Sequence, residues 1–233
     1  MIAGLQKMTL LDYPGKVACT VFLQGCNYAC PFCHNSTLLP FGGSPCMEEA
    51  ELLCFLRKRQ GLLDGVCITG GEPTLYPGLE NLLRQIKAMG FAIKLDTNGS
   101  RPDVMRHLAE AQLVDYVAMD VKNSPSRYGE TVGVPGLKLE PVEESLRFLI
   151  DGKLPYELRT TLVRQFHNET SVVEMGRWLQ CLVPGKKPAV LYLQQFVDRE
   201  SVAFSGLSAP CSAQIERFSQ LLSPFVHTLQ VRG

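Results

Sequence analysis

Three thiols on one short loop are the residues of this sequence best suited to chemistry. Cys26, Cys30 and Cys33 stand at the spacing C-x3-C-x2-C within Gly25-Cys26-Asn27-Tyr28-Ala29-Cys30-Pro31-Phe32-Cys33-His34-Asn35, directly after an apolar run. Thiolates so spaced can converge on one metal centre from a single loop. A [4Fe–4S] cluster is ordinarily closed by four cysteines. Three ligands leave one iron without a protein ligand, and an open position is what separates a catalytic metal site from a closed structural one. Other chemistries fit parts of the pattern. Cys30-Pro31-Phe32-Cys33-His34 matches C-x-x-C-H, the c-type haem attachment pattern. A Cys3His zinc site would use His34. The haem reading needs a compartment outside the cytosol, and the zinc reading needs the adjacent Cys33 and His34 to share one tetrahedron. Nine cysteines scattered through 233 residues argue against a disulfide framework.

The loop resembles the signature of the radical SAM superfamily, to which the aromatic residue before the last cysteine, here Phe32, also belongs. The resemblance implies that Cys26, Cys30 and Cys33 bind one [4Fe–4S] cluster and that S-adenosylmethionine chelates its open iron through amino and carboxylate groups. An electron from the reduced cluster then breaks the sulfonium bond. The 5′-deoxyadenosyl radical so formed abstracts a hydrogen atom.

The elements that must position this loop read as alternating strands and helices. Residues 1–16 form a short lead-in ending in the turn Asp12-Tyr13-Pro14-Gly15. Residues 17–23 are β-branched and almost continuously apolar, as buried parallel strands are, and the cysteine loop (25–36) follows their C-terminal end. Ser44 and Pro45 suit the N-cap and first position of a helix reaching about residue 60. Further strands are expected at 65–69, 91–95, 114–121, 156–163, 189–196 and 227–232. Helices are expected at 77–90, 102–111, 141–150, 169–181 and 211–222. Residues 124–139 form a longer connection rich in glycine and proline. Such alternation argues a parallel sheet with right-handed crossovers. About six units suit an open, partial (β/α)6 TIM-like barrel in a single domain over 1–233 better than a closed eight-fold one.

In such folds the chemistry sits at the C-terminal ends of the strands, and this sequence places polar segments there repeatedly. Gly70-Gly71-Glu72-Pro73 follows the second strand. Glycines let a backbone approach a ligand closely, and Glu72 is a carboxylate suited to an ammonium group. The segment resembles the superfamily's GGE motif, which binds the methionine amino group of the cofactor. Asp96-Thr97-Asn98-Gly99 follows the third strand. As residues alone it is an Asn-Gly turn, but it also resembles the activating enzymes of glycyl-radical proteins. The resemblance places Asp96 and Asn98 beside the cofactor, and Asp96 and Thr97, with Asp120, at a monovalent cation. Asp120-Val121-Lys122 ends the fourth strand in the D-x-K pattern of the same activases, where the lysine faces the cofactor. In the fifth strand, alternation puts Glu157, Arg159 and Thr161 on one face. An inward Arg159 needs an anionic partner, and the resemblance offers the cofactor carboxylate. Gln194 and Gln195 close the sixth strand as hydrogen-bonding groups for ribose or substrate. Phe196 stands where the related activases have a histidine. His107, His167 and His227 lack metal-like spacing and read as surface or core histidines. Cys19, Cys46, Cys54, Cys67, Cys181 and Cys211 lack C-x2-C partners, so a single cluster is expected.

Composition bounds the rest. Lys plus Arg and Asp plus Glu number 23 each, giving a formal net charge of zero, so no global field draws nucleic acid. No apolar run approaches the ~20 residues of a membrane span. Nine cysteines without a secretory leader are expected in a reducing cytoplasm.

From residues 12–15 to Leu193-Gln194-Gln195-Phe196 the chain resembles activating proteins of anaerobic ribonucleoside-triphosphate reductase. That family implies an oxidoreductase that makes a glycyl radical on a partner enzyme, using an electron from a flavodoxin- or ferredoxin-type donor. A radical SAM enzyme acting on a small molecule or another peptide is a second reading, and a non-enzymatic metal-binding module a third.

Overall fold

The computed structural model describes residues 1–232. The chain folds as alternating strands and helices. They are β1 (Ile2–Thr9), β2 (Ala18–Leu23), α1 (Glu49–Arg57), β3 (Gly65–Gly70), α2 (Leu79–Ala88), β4 (Ala92–Thr97), α3 (Pro102–Glu110), β5 (Tyr116–Asp120), α4 (Tyr128–Thr131), α5 (Glu140–Asp151), β6 (Tyr156–Leu162), α6 (Glu169–Leu182), β7 (Val190–Gln195), α7 (Ser212–Leu222) and β8 (Thr228–Arg232). No helix among the described residues is long and apolar enough to cross a membrane.

Two compact units emerge, each taking separate stretches of the chain. The first comprises Met1–Asn27, Thr37–Thr97 and Asp103–Ala118; the second comprises Tyr28–Ser36, Asn98–Pro102 and everything from Met119 onward. Cys26 therefore belongs to the first unit, and Cys30 and Cys33 to the second.

In the first unit β2, β3 and β4 pair in parallel, Val21 opposite Ile68 and Ile68 opposite Leu95. Both faces of these strands are covered, so Ala18, Cys19, Val21, Val66, Ile68, Ile93 and Leu95 are buried. This is why they read as apolar runs rather than as alternations. α2 lays Leu79, Leu82, Leu83 and Ile86 into the core, the i, i+3, i+4, i+7 stripe of an amphipathic helix. Each such fully buried leucine contributes about 2 kcal/mol of apolar burial.

In the second unit β6, β7 and β8 pair in parallel, Leu158 opposite Leu191 and Leu191 opposite Leu229. α6 buries Val172, Met175, Leu179 and Leu182, and its first turn is closed by Asn168, whose side chain accepts from the Ser171 amide at 2.9 Å. This Asn168 cap is the local reason α6 begins at Glu169, directly after the His167 turn.

Three sequence expectations are corrected. The lead-in contains a strand: β1 runs antiparallel to β2, with Leu5 opposite Val21. Only Ile2 and Thr9 of β1 are buried, so the strand shows no period-2 signal. α1 starts at Glu49 instead of Pro45, because the Glu51 carboxylate accepts from the Glu48 amide at 3.0 Å and closes the first turn there. The connection over 124–139 holds one helical turn, α4, with Tyr128 and Thr131 buried.

Candidate functional site

The segment after β3 is bound to the start of the cysteine loop. The Gly71 amide donates to the Leu23 carbonyl at 2.8 Å, and the Glu72 amide donates to the Gly25 carbonyl at 2.8 Å. The approach is too close for side chains. A Cβ on Gly71 would lie 2.2 Å from the Gly25 carbonyl oxygen, and one on Gly70, whose φ is +122°, 2.2 Å from that of Leu23. Gly25 and Cys26 are tied in turn to Leu38 and Leu39 by amide-to-carbonyl bonds of 2.8 and 3.1 Å.

Glu72 is 1% exposed. Its Oε1 accepts from the Thr74 amide at 3.1 Å, the Thr74 hydroxyl at 2.5 Å and the Thr97 hydroxyl at 2.8 Å. A buried carboxylate demands such donors. The carboxylate thus joins the Gly-Gly-Glu segment to the end of β4.

Asp96, one residue from the end of β4, pairs with the ammonium of Lys94, which is 1% exposed. Cys67 of β3 lies opposite Lys94 in the register, its Sγ 3.7 Å from Lys94 Nζ and 3.7 Å from Asp96 Oδ1. Sequence reading passed over Lys94. Its signal was a lone charge inside an apolar strand, two residues before a carboxylate and so on the same strand face.

The second unit carries Cys30 and Cys33, whose backbones share a turn closed by the Cys33 amide on the Cys30 carbonyl at 3.0 Å. Phe32 is buried against Val163 and Phe196, with Cys30 and Phe166 packed on the same group. Burial pushes the Cys30 thiol up to about 11, with Lys122 pulling the other way. Without a metal such a thiol stays protonated at neutral pH; binding iron removes the proton.

Asp120 ends β5 between two cations, Lys122 Nζ at 2.8 Å and Arg159 Nε at 3.2 Å. Burial works against its charge, but Lys122 and Arg159 hold the carboxyl below the usual carboxylate range. Burial also opposes the charge on Lys122, while Asp120 and the nearby Cys30 hold its ammonium above the ordinary range. Arg159 has a second carboxylate in Glu157, which also pairs with Arg232 at 3.3 Å. The anionic partners that alternation demanded for Arg159 therefore include side chains of its own unit. Asn98 is buried and accepts from the Ser100 amide at 2.9 Å, an Asx turn. Gln194 lies in β7 opposite Thr161 of β6 and Arg232 of β8.

Of the two settings expected for the histidines, surface or core, His167 takes the core, and it is tied to this cluster. Its Nε2 donates to the Lys122 carbonyl at 2.9 Å, and its Nδ1 accepts from the Val163 amide at 3.1 Å. Burial, with a smaller contribution from Arg127, holds its pKa below the ordinary histidine value. His107 is exposed beside Glu80.

Whether these residues suit an iron–sulfur cluster can be judged from the donor set. None of the nine cysteines is in a disulfide. Among the described residues no three His, Cys, Asp or Glu side chains are grouped to hold a single metal ion. A cubane asks each cysteine for a different iron, so its three thiols need not meet at one point. Three thiols of one loop, with Lys122 beside Cys30 to balance negative charge, fit the cluster.

Comparison with known proteins agrees. The sequence profile of the radical SAM superfamily matches residues 20–179. A Methanocaldococcus jannaschii protein provisionally named glycyl-radical enzyme activating enzyme is 29% identical over 242 residues, covering 100% of this chain and 95% of that one. The 7-carboxy-7-deazaguanine synthase of Thermococcus kodakarensis is 27% identical over 204 residues, covering 79% of this chain and 77% of that one. Among solved structures, a domain of the pyruvate-formate lyase-activating enzyme from Bacteroides vulgatus superposes with a TM-score of 0.58 at 20% identity, covering 72% of this chain and 99% of that one.

Proposed function

This chain belongs to the radical SAM superfamily, and we propose that within it the protein is an activase that generates a glycyl radical on a partner enzyme, namely an anaerobic ribonucleoside-triphosphate reductase. The observation that carries the reading is the end-to-end match to a protein named as a glycyl-radical enzyme activating enzyme, 100% of this chain against 95% of that one. Asp96, Thr97 and Asn98 at the end of β4, and Asp120 and Lys122 at the end of β5, support the activase reading.

When bound, the cluster and S-adenosylmethionine supply one-electron cleavage of the cofactor and a primary carbon radical. The remaining work falls to the chain's own residues. Cys26, Cys30 and Cys33 would hold the cluster. Gly70 and Gly71 let the segment lie directly against the Leu23 and Gly25 backbone, and Glu72 braces it through Thr74 and Thr97. Asp120 ties Lys122 and Arg159 into one ion-paired group, with Glu157 as a second carboxylate beside Arg159. Phe32, Phe196 and Val163 exclude solvent beside Cys30. The substrate hydrogen is on a glycine Cα of the partner, where the resulting radical is delocalised between flanking amides. Hydrogen abstraction of this kind needs no general acid or base. The reducing electron comes from a flavodoxin- or ferredoxin-type protein.

The test is electron paramagnetic resonance on reduced, anaerobically reconstituted protein mixed with S-adenosylmethionine and the partner reductase. A glycine-centred doublet on the reductase is the expected result. Cofactor cleavage without a doublet would favour the second reading, a small-molecule substrate, for which the likeness to 7-carboxy-7-deazaguanine synthase speaks.

A further inference from the structure

We propose that Lys94 supplies from within the fold the positive charge that Asp96 requires, so that cofactor binding by this chain is independent of a monovalent metal cation. The inference rests on the superfamily assignment and not on the identity of the partner.

The resemblance to the activases implies a cation held by Asp96, Thr97 and Asp120. Each of these side chains already has a resident partner. The Lys94 ammonium sits on Asp96 Oδ1. The Thr97 hydroxyl is given to Glu72 at 2.8 Å. Asp120 is shared by Lys122 and Arg159 at 2.8 and 3.2 Å. An alkali-metal ion is a hard cation held by several oxygen ligands, and a carboxylate already paired with a fixed cation attracts it little. Here both carboxylates are neutralised by fixed cations that would repel it. The donor set does not fit a metal ion.

The placement of Lys94 is built into the sheet. Lys94 and Asp96 lie two residues apart on β4 and share a face. The β3–β4 register sets the small side chain of Cys67 opposite Lys94, leaving room for the lysine stem. Burial of an ammonium is tolerated only beside a countercharge, and Lys94, 1% exposed, has Asp96 for that purpose. Lys94 is therefore a positioning residue. It acts through Asp96, which the resemblance places beside the cofactor.

The experiment measures S-adenosylmethionine affinity of the reconstituted holoprotein by calorimetry, with tetramethylammonium or potassium as the sole added cation at constant ionic strength. For the wild type the dissociation constant is expected to change less than about twofold between the two. For Lys94→Met it is expected to weaken about tenfold or more in tetramethylammonium and to recover in potassium, which enters the position the ammonium has left. A merely structural lysine would give no potassium rescue. A wild-type affinity that depends strongly on potassium overturns the proposal, as does a Lys94→Met protein that binds as the wild type does without potassium. If Lys94→Met does not fold, Lys94→Met/Asp96→Asn removes both charges together. Its binding is expected to be insensitive to potassium, and rescue by potassium would overturn the assignment of Asp96 as the site of charge. None of these measurements involves the partner enzyme, so failure of the activase reading would leave them unchanged.

Discussion

The Glu72 amide donates to the Gly25 carbonyl at 2.8 Å, so the residue before the first cysteine is held by the segment that follows β3. Two motifs far apart in sequence are thereby one backbone assembly. The glycine between them is the part least able to change.

Gly71→Ala would place a methyl 2.2 Å from the Gly25 carbonyl oxygen. Both contact atoms are backbone, so neither can swing aside. The cysteine loop or the Gly-Gly-Glu segment must shift, at a cost of about 1–3 kcal/mol for strained backbone. The expected outcome is reduced iron per protein after reconstitution and weaker cofactor binding, with secondary structure kept. Iron assay and calorimetry check it; wild-type values for both would show that the close approach has no functional weight.

Thr97→Val keeps the shape of the side chain and removes one donor from the buried Glu72 carboxylate, at present 2.8 Å away. Hydrogen bonds to charged groups contribute about 1.5–3 kcal/mol. A urea midpoint shifted by a corresponding amount is expected, together with weaker cofactor binding, because the brace on the Gly-Gly-Glu backbone loosens. Unchanged binding despite lower stability would confine Thr97 to a structural role.

The cysteine loop and the strand-end segments stand out in the sequence because they are local and chemically unusual, and the structure places each at a strand end. Three thiols at C-x3-C-x2-C after an apolar strand seldom occur without a metal to bind, and a Gly-Gly-Glu one strand later strengthens the pattern. β2, β3 and β5 were readable because buried strands leave nearly continuous apolar runs, whereas β8, with no buried residue, was marked only by its place after α7. β1 was not readable, since an edge strand with only its end residues buried leaves no periodic trace. Nor were the pairings that depend on register: Lys94 with Cys67 requires knowing that β3 and β4 align at those residues. The tie from His167 to the Lys122 carbonyl joins residues of different elements, and nothing in their spacing announces it.

That tie gives a pH dependence with a definite sign. His167 has its pKa held below the ordinary value of about 6.5 by burial. The unfolded chain therefore takes up a proton that the folded chain resists. His167 contributes its stability in full above about pH 6.5, and loses it as pH falls through that value toward the depressed folded pKa. Protonation would place a second N–H at Nδ1, which then loses the Val163 amide at 3.1 Å and turns to the Val163 carbonyl at 3.2 Å, leaving burial as the main cost. Urea unfolding of the cluster-free protein across this range should show a steeper acid loss for the wild type than for His167→Gln. The difference in slope is at most about 1.4 kcal/mol per pH unit. Parallel curves would mean that His167 does not titrate in this window.

Phe196 closes the end of β7, and its packing indicates what it does. Its ring stacks on that of His34, centroids 5.5 Å apart at 17°, while His34 Nε2 donates to the Val197 carbonyl at 2.7 Å. The Ser36 hydroxyl bonds the Ser201 carbonyl in the same manner. The chain leaving β7 is thus laid along the residues that follow Cys33, with Phe32 and Val163 beneath. A side chain here can either join the chemistry or seal it, and a buried phenyl ring can only seal. Phe196→Ala opens a cavity that costs about 3 kcal/mol or more, and it removes the cover beside Cys30. The expected outcome is faster bleaching of the iron–sulfur absorbance in air, by severalfold, with cofactor affinity in strict anaerobiosis little changed. Phe196→Leu, which restores most of the volume, should recover the slower decay. If both variants bleach at the wild-type rate, oxygen reaches the cluster by another path and the ring has only a packing role.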